Sequence, residues 1–288
     1  MDDHRLAERL ARARRTGEAL TEAPLPMTLE RGYAVQALVA AALGEAAGWK
    51  VGATNAGGQR FLGVSEPICG RVLAAGVIGS STAPRLDPKR LPGEGRGPAT
   101  AKSEVRTPLP DGPAAGPRPS PGRYILAAAP YSLDLPGARD AEAEPEILFR
   151  LARTPGGDPA DAVGAAYLGL EINRPSRDDA FDLGVGFIVA DDAAHAGLIV
   201  GPEIPLDALA RPEEVRVRLI LNGEVREEGD ASAVLGHPLE ALRWLASRRP
   251  LRAGEWIATG AITRSCRLAR GDEVRADFGA LGRVAVRR

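Results

Sequence analysis

The stretch Ala143-Glu144-Pro145-Glu146-Ile147-Leu148-Phe149 decides how this chain reads. On a strand, side chains two residues apart point to one face. Glu144 and Glu146 then share a face, while Pro145, Ile147 and Phe149 turn the other way into a core. Two carboxylates side by side repel unless a cation or a shared proton lies between them. A hard divalent cation such as Mg²⁺ or Mn²⁺ suits a set of oxygen ligands. The plainer reading is an acidic strand face in water, because charged side chains usually face solvent.

Glu171 bears on that choice. It closes the apolar run Ala166-Tyr167-Leu168-Gly169-Leu170 and precedes Ile172. A carboxylate set in such a run needs a partner if it is buried. A third acid from a neighbouring strand would complete a three-carboxylate site with positions left for a substrate. Lys50, in Trp49-Lys50-Val51-Gly52, is either a snorkelling surface cation or a charge placed beside a substrate.

Working outward, residues 4–16 and a segment from Thr28 through Ala42 carry helical periodicity, with Thr28 as N-cap. A short strand over residues 49–54 follows. Residues 83–122 are dense in Pro and Gly and lack apolar periodicity, which predicts an irregular insertion outside the core. Beyond it strands are expected at 144–151, 165–172, 186–189, 198–200, 215–221, 255–258, 273–278 and 281–286. Asn222-Gly223 marks a hairpin turn, and Pro238 opens a helix. The fold class is α+β, mostly β. Residues 1–78 hold an N-terminal helical unit and the start of the main fold, 79–141 the Pro/Gly-rich insertion, and 142–288 the β-rich core.

The totals remove several function classes. Of 288 residues, 44% are hydrophobic and 26% charged, and the formal net charge is −1. Nothing in that balance draws the chain to nucleic acid or an anionic membrane, and 4% aromatic content offers no base-stacking surface. Two cysteines, Cys69 and Cys266, and an acidic start without an apolar signal core fit a reducing cytoplasm. No apolar run approaches the ~20 residues of a membrane span. His4, His195 and His237 do not form a metal set. His195, in Asp191-Asp192-Ala193-Ala194-His195, stands near candidate water-positioning acids, although Asp191 and Asp192 equally suit a turn cap. No glycine pattern amounts to a nucleotide loop.

Several segments in order resemble the fumarylacetoacetate hydrolase superfamily, nearest its 2-keto-4-pentenoate hydratase and 4-oxalocrotonate decarboxylase group. They are Gly48-Trp49-Lys50-Val51-Gly52-Ala53-Thr54, Leu62-Gly63-Val64 with Glu66-Pro67, Glu144–Phe149, Leu170-Glu171-Ile172, Val189–Ala193, Val234–Pro238, Thr259–Thr263, Gly271-Asp272 and Leu281-Gly282. The resemblance implies a mixed β-roll with an N-terminal helical unit, and a homo-oligomer. It implies Mg²⁺ or Mn²⁺ on Glu144, Glu146 and Glu171, with Lys50 beside a small 2-oxo acid. Thr259 and Thr263 would bind the substrate carboxylate, while the clustering of Asp191, Asp192 and His195 in one short stretch offers candidate catalytic groups that position water. The implied reaction is hydration of a 2-oxo or 2-hydroxy-dienoic acid in aromatic-compound catabolism. Decarboxylation of a 2-oxo-dicarboxylate, or a non-catalytic subunit supporting a partner enzyme of the pathway, are the alternatives. Three departures matter, the first being a Pro-rich segment in place of a much shorter connection before the metal strand. Pro67-Ile68-Cys69-Gly70 lacks the acid that hydratases of the group often carry, and Ala190-Asp191-Asp192-Ala193-Ala194 lacks their serine.

Overall fold

The computed structural model describes residues 2–22, 26–79 and 129–288. In chain order these form α1 (Asp3–Thr16), α2 (Leu29–Leu43), β1 (Ala46–Gly52), α3 (Ala56–Leu62), β2 (Ile68–Leu73), β3 (Val77–Gly79), β4 (Tyr131–Ser132), β5 (Ala141–Leu151), β6 (Val163–Asn173), α4 (Val185–Ala190), β7 (His195–Ile204), β8 (Arg216–Leu221), β9 (Glu224–Asp230), α5 (Pro238–Arg248), β10 (Trp256–Ala258), β11 (Cys266–Leu268), β12 (Glu273–Asp277) and β13 (Arg283–Arg287). Short 3₁₀ turns join them. The expected insertion at 83–122 lies outside the described residues. Next to it, β4 pairs with β13, and Leu133 and Leu135 are buried.

The strands make two curled sheets. One has the order β2-β1-β10-β5-β6-β7-β3, with β11 added beside β5; the other runs β4-β13-β12-β8-β9. β5 and β6 are the longest strands, 11 residues each, and pair antiparallel along almost their whole length. Alternation along β5 works as read from the sequence. Ile147 and Phe149 are fully buried in a core that also draws Leu219, Leu242, Val274 and Val286 from the second sheet and α5. On the opposite face Leu148 packs with Tyr167, Leu198 and Trp256. Both faces of the β5–β6 pair are covered, so a carboxylate on either face is drawn into low-dielectric surroundings.

The helices assemble a second apolar cluster from Leu6, Leu10, Val35, Val39, Phe187 and Ile188. α1 begins where the Asp2 carboxylate accepts from the Arg5 N–H, and α2 where the Thr28 hydroxyl accepts from the Arg31 N–H. One expectation is corrected here. Residues 186–189 are helical, in α4, and not a strand. A short apolar run has no periodicity that separates a buried strand from a buried helix. Tertiary packing decides it: Gly32 and Gly186 let α2 and α4 touch backbone to backbone, and a methyl on Gly32 would strike the Gly186 carbonyl. Among the described residues no helix is long and apolar enough to cross a membrane.

Candidate metal centre

Antiparallel register places Glu144 of β5 directly opposite Glu171 of β6, and Glu146 opposite Gly169. The three acids therefore project from one face of a two-strand ribbon. One oxygen from each lies within 4.8 Å of the others. Glu146 and Glu171 are 0% and 1% exposed, while Glu144 keeps part of its surface open. β1, joined to β5 through β10, brings Lys50 to the cluster, its Nζ 3.3 Å from Glu171 Oε2. The Lys50 side chain is almost fully buried, so the snorkelling alternative is excluded.

Each carboxylate is held by a donor of its own. Asn173 Nδ2 donates to Glu144 Oε2 at 2.8 Å. The Gly260 N–H donates to Glu146 Oε2 at 3.1 Å. His195 Nδ1 lies 2.7 Å from Glu171 Oε1. Gly260 has φ +115°, and a side chain there would run into Thr54; glycine is what lets this amide reach the acid. Glu146 Oε1 is buried and has no hydrogen-bond partner among the described residues.

The charges are out of balance. Burial, followed by the neighbouring Glu171 charge, raises the Glu144 carboxyl to about 7 and lifts Glu146 well above the ordinary range. Glu171 stays below its ordinary value: burial would raise it, but Lys50 and then His195 outweigh that. Burial would likewise lower Lys50, yet Glu171, Glu144 and Glu146 hold it above normal. Fully ionised, three carboxylates against one ammonium leave a charge of −2. A hard divalent cation cancels that charge, and the unpartnered Glu146 oxygen is a ready ligand. The donor set therefore fits an oxygen-coordinated divalent cation.

The remaining expected site residues are distributed differently. His195 joins the cluster through Glu171. The Asp191 carboxylate instead accepts from Arg14 Nε at 3.1 Å and from the Ser176 N–H. Asp192 Oδ1 accepts from the Arg71 N–H at 2.7 Å. Both acids anchor a turn in which Asp192, Ala193 and Ala194 all have positive φ (53°, 50° and 62°). Such backbone costs about 1–3 kcal/mol per residue and persists only where surrounding contacts over-determine it. Here that turn aims His195 at Glu171. The Thr259 hydroxyl is buried and donates to the Ile147 carbonyl, and the Thr263 hydroxyl donates to the Arg264 carbonyl. Neither hydroxyl hydrogen-bonds to the three acids. Asn173 was missed from the sequence, although it stands two residues beyond Glu171 on the same strand face.

The family model for the fumarylacetoacetate (FAA) hydrolase C-terminal region matches residues 165–287. Among curated relatives, 2-oxo-hept-4-ene-1,7-dioate hydratase of Escherichia coli is 34% identical over 127 residues, 41% of this chain and 43% of the relative. The chain thus spans under half of that relative's length. 2-Keto-4-pentenoate hydratase of Paraburkholderia phymatum is 28% identical over 285 residues, covering 91% of this chain and 88% of the relative. Among solved structures, 4-oxalocrotonate decarboxylase from Pseudomonas putida G7, complexed with magnesium and adipate, superposes with a TM-score of 0.72 at 22% identity, covering 99% and 96% of the two chains.

Proposed function

We propose, from its similarity to the fumarylacetoacetate hydrolase family and to 2-keto-4-pentenoate hydratases and 4-oxalocrotonate decarboxylases, that this chain is a metal-dependent lyase of that superfamily. Its reaction is the addition of water to a 2-oxo or 2-hydroxy-dienoic acid such as 2-keto-4-pentenoate, in aromatic-compound catabolism. The observation that carries this reading is the buried carboxylate triad with Lys50 against it.

Glu144, Glu146 and Glu171 would hold Mg²⁺ or Mn²⁺. Such an ion supplies Lewis-acid stabilisation for negative charge developing on the 2-oxygen of the substrate. The chain's own groups do the rest. Asn173, Gly260 and His195 each fix one oxygen of one acid, so the ligands are oriented before substrate arrives. Lys50, buried and cationic, adds positive charge beside the developing enolate and holds a proton at Nζ. Hydration adds the water oxygen to one carbon of the double bond and a proton to its neighbour. Asn173 Oδ1, buried and without a partner, is an acceptor suited to orienting that water. With its oxygens committed to Arg14 and Ser176, Asp191 acts as an anchor and not as the base. His195 positions Glu171.

Decarboxylation of a 2-oxo-dicarboxylate is the second reading. It draws support from Ile68, which replaces an acid and is 2% exposed, and from the commitment of Asp191 and Asp192 to structural contacts. A homo-oligomer, association with an enzyme of the same pathway and a cytoplasmic setting complete the proposal. Dienoate absorbance and CO₂ release, followed in parallel with and without Mg²⁺, test it. Metal-dependent loss of dienoate without CO₂ is the expected result. CO₂ release without hydration transfers the assignment to decarboxylation, and silence in both refutes a lyase of either kind.

A further inference from the structure

A cavity of about 310 Å³ lies between the C-terminal end of α1, the segment leading into β5 and the turn that follows β6. That size is within the range of small-molecule sites. Arg14, Arg15, Arg139 and Arg174 all line it, against a single lining acid, Asp134. Arg14 is neutralised by Asp191, and Arg139 approaches the exposed Asp178 at 3.4 Å. Arg174 differs. It is 7% exposed and forms no ion pair among the described residues. Its Nη1 donates to the Pro136 carbonyl at 2.6 Å. Burial, then the charges of Arg139, Arg288 and Arg14, pull its pKa down to about 10.

One further atom points to an anionic ligand. Ser176 Oγ is buried without a hydrogen-bond partner among the described residues, and Ser176 lines the cavity beside Arg174. Leaving a buried cation and a buried hydroxyl unpaired is costly, and an oxyanion accepting from both removes that cost. The rest of the wall is apolar, built from Leu43, Leu73, Ile78, Leu133 and Leu135. Inorganic phosphate would find no partner for that surface; a short hydrocarbon would.

We propose that this cavity binds a small aliphatic carboxylate, its carboxylate seated on Arg174, Arg139 and Ser176 and its chain on the leucine-lined wall. The site is distinct from the metal centre and does not depend on the proposed reaction. Arg174 stands just past the end of β6 and lines the cavity, whereas Glu144, Glu146, Glu171 and Lys50 do not. His195 is the residue common to both, with Nδ1 on Glu171 and a place in the cavity lining.

Isothermal titration of the Mg²⁺-loaded full chain with pentanoate tests this, with inorganic phosphate and 1-pentanol as controls. Pentanoate binds, and both controls bind at least ~10-fold more weakly, because each lacks one half of the recognition. Arg174→Gln weakens pentanoate by at least ~10-fold and Ser176→Ala by several-fold, whereas Glu146→Gln leaves it unchanged. Should Arg174→Gln fail to fold, Arg139→Gln and Ser176→Ala carry the comparison. No binding to the wild type overturns the proposal. So does loss of binding in Glu146→Gln with retention in the arginine and serine variants, which would place the carboxylate at the metal centre. Phosphate binding as tightly as pentanoate refutes the aliphatic class.

Discussion

The two sides of His195 carry opposite imbalances. On one side Glu144, Glu146 and Glu171 face a single ammonium, that of Lys50. On the other, four arginines and an acid line a cavity, and Arg174 has no counter-ion among the described residues. The first region is assembled from neighbours in register on two paired strands; the second from residues 14, 15, 139 and 174, on segments far apart in the chain. Charge that local periodicity places is legible before folding. Charge that only tertiary structure gathers is not.

The largest expected effect lies on the acidic side. Glu171→Gln removes a ligand together with the partner of both Lys50 and His195. Turnover of the dienoate in saturating Mg²⁺ should fall by roughly 10³-fold, the equivalent of several kcal/mol of charge stabilisation. A variant within tenfold of wild type would mean that the triad is not the reaction centre.

Next comes the anchor. Arg14→Ala strands the buried Asp191 carboxylate, which should cost about 3–5 kcal/mol in urea denaturation. Metal affinity of the folded fraction should stay near wild type. If stability is unchanged but catalysis collapses, Asp191 belongs to the chemistry after all.

Smaller and more diagnostic is Asn173→Ala, which releases one oxygen of Glu144. Mn²⁺ affinity should drop by about 10–100-fold with little change in fold stability. Thr263→Ala closes the series, with stability within about 0.5 kcal/mol of wild type and KM unchanged. A large rise in KM would restore Thr263 to the substrate site.

These contrasts show where sequence reading succeeded. The strand pair, the triad and the partnered Lys50 followed from a two-residue alternation and from ordered motifs spread over the chain. The helix at 185–190 was read as a strand because an apolar run of that length suits either, and the contact between Gly32 and Gly186 settles it. Asp191 and Asp192 were open between turn cap and water-positioning acid. Their partners, Arg14, Ser176 and Arg71, lie on other segments, so nothing local separates the two roles. The hydroxyls of Thr259 and Thr263 were assigned to substrate because no sequence pattern reveals that each already donates to a backbone carbonyl.

The acidic side also sets a pH dependence for chelator-treated protein. Glu144 titrates near 7 in the fold and at about 4.5 when unfolded. Between those values the folded chain holds the extra proton, so stability falls as pH rises from about 4.5 to 7, by at most ~1.4 kcal/mol per unit for this one group. Excess Mg²⁺ should flatten or reverse the slope, because the ion replaces the proton. A slope that rises with pH in the metal-free protein would show Glu144 ionised without a cation.

The most direct test of the central claim is Mn²⁺ titration of the full chain, read by the loss of free-ion paramagnetic signal, beside Glu146→Gln. One ion per chain, with affinity reduced at least ~100-fold by that single oxygen-to-amide change, is the predicted result. No saturable binding, or equal binding by Glu146→Gln, would contradict a metal centre on Glu144, Glu146 and Glu171.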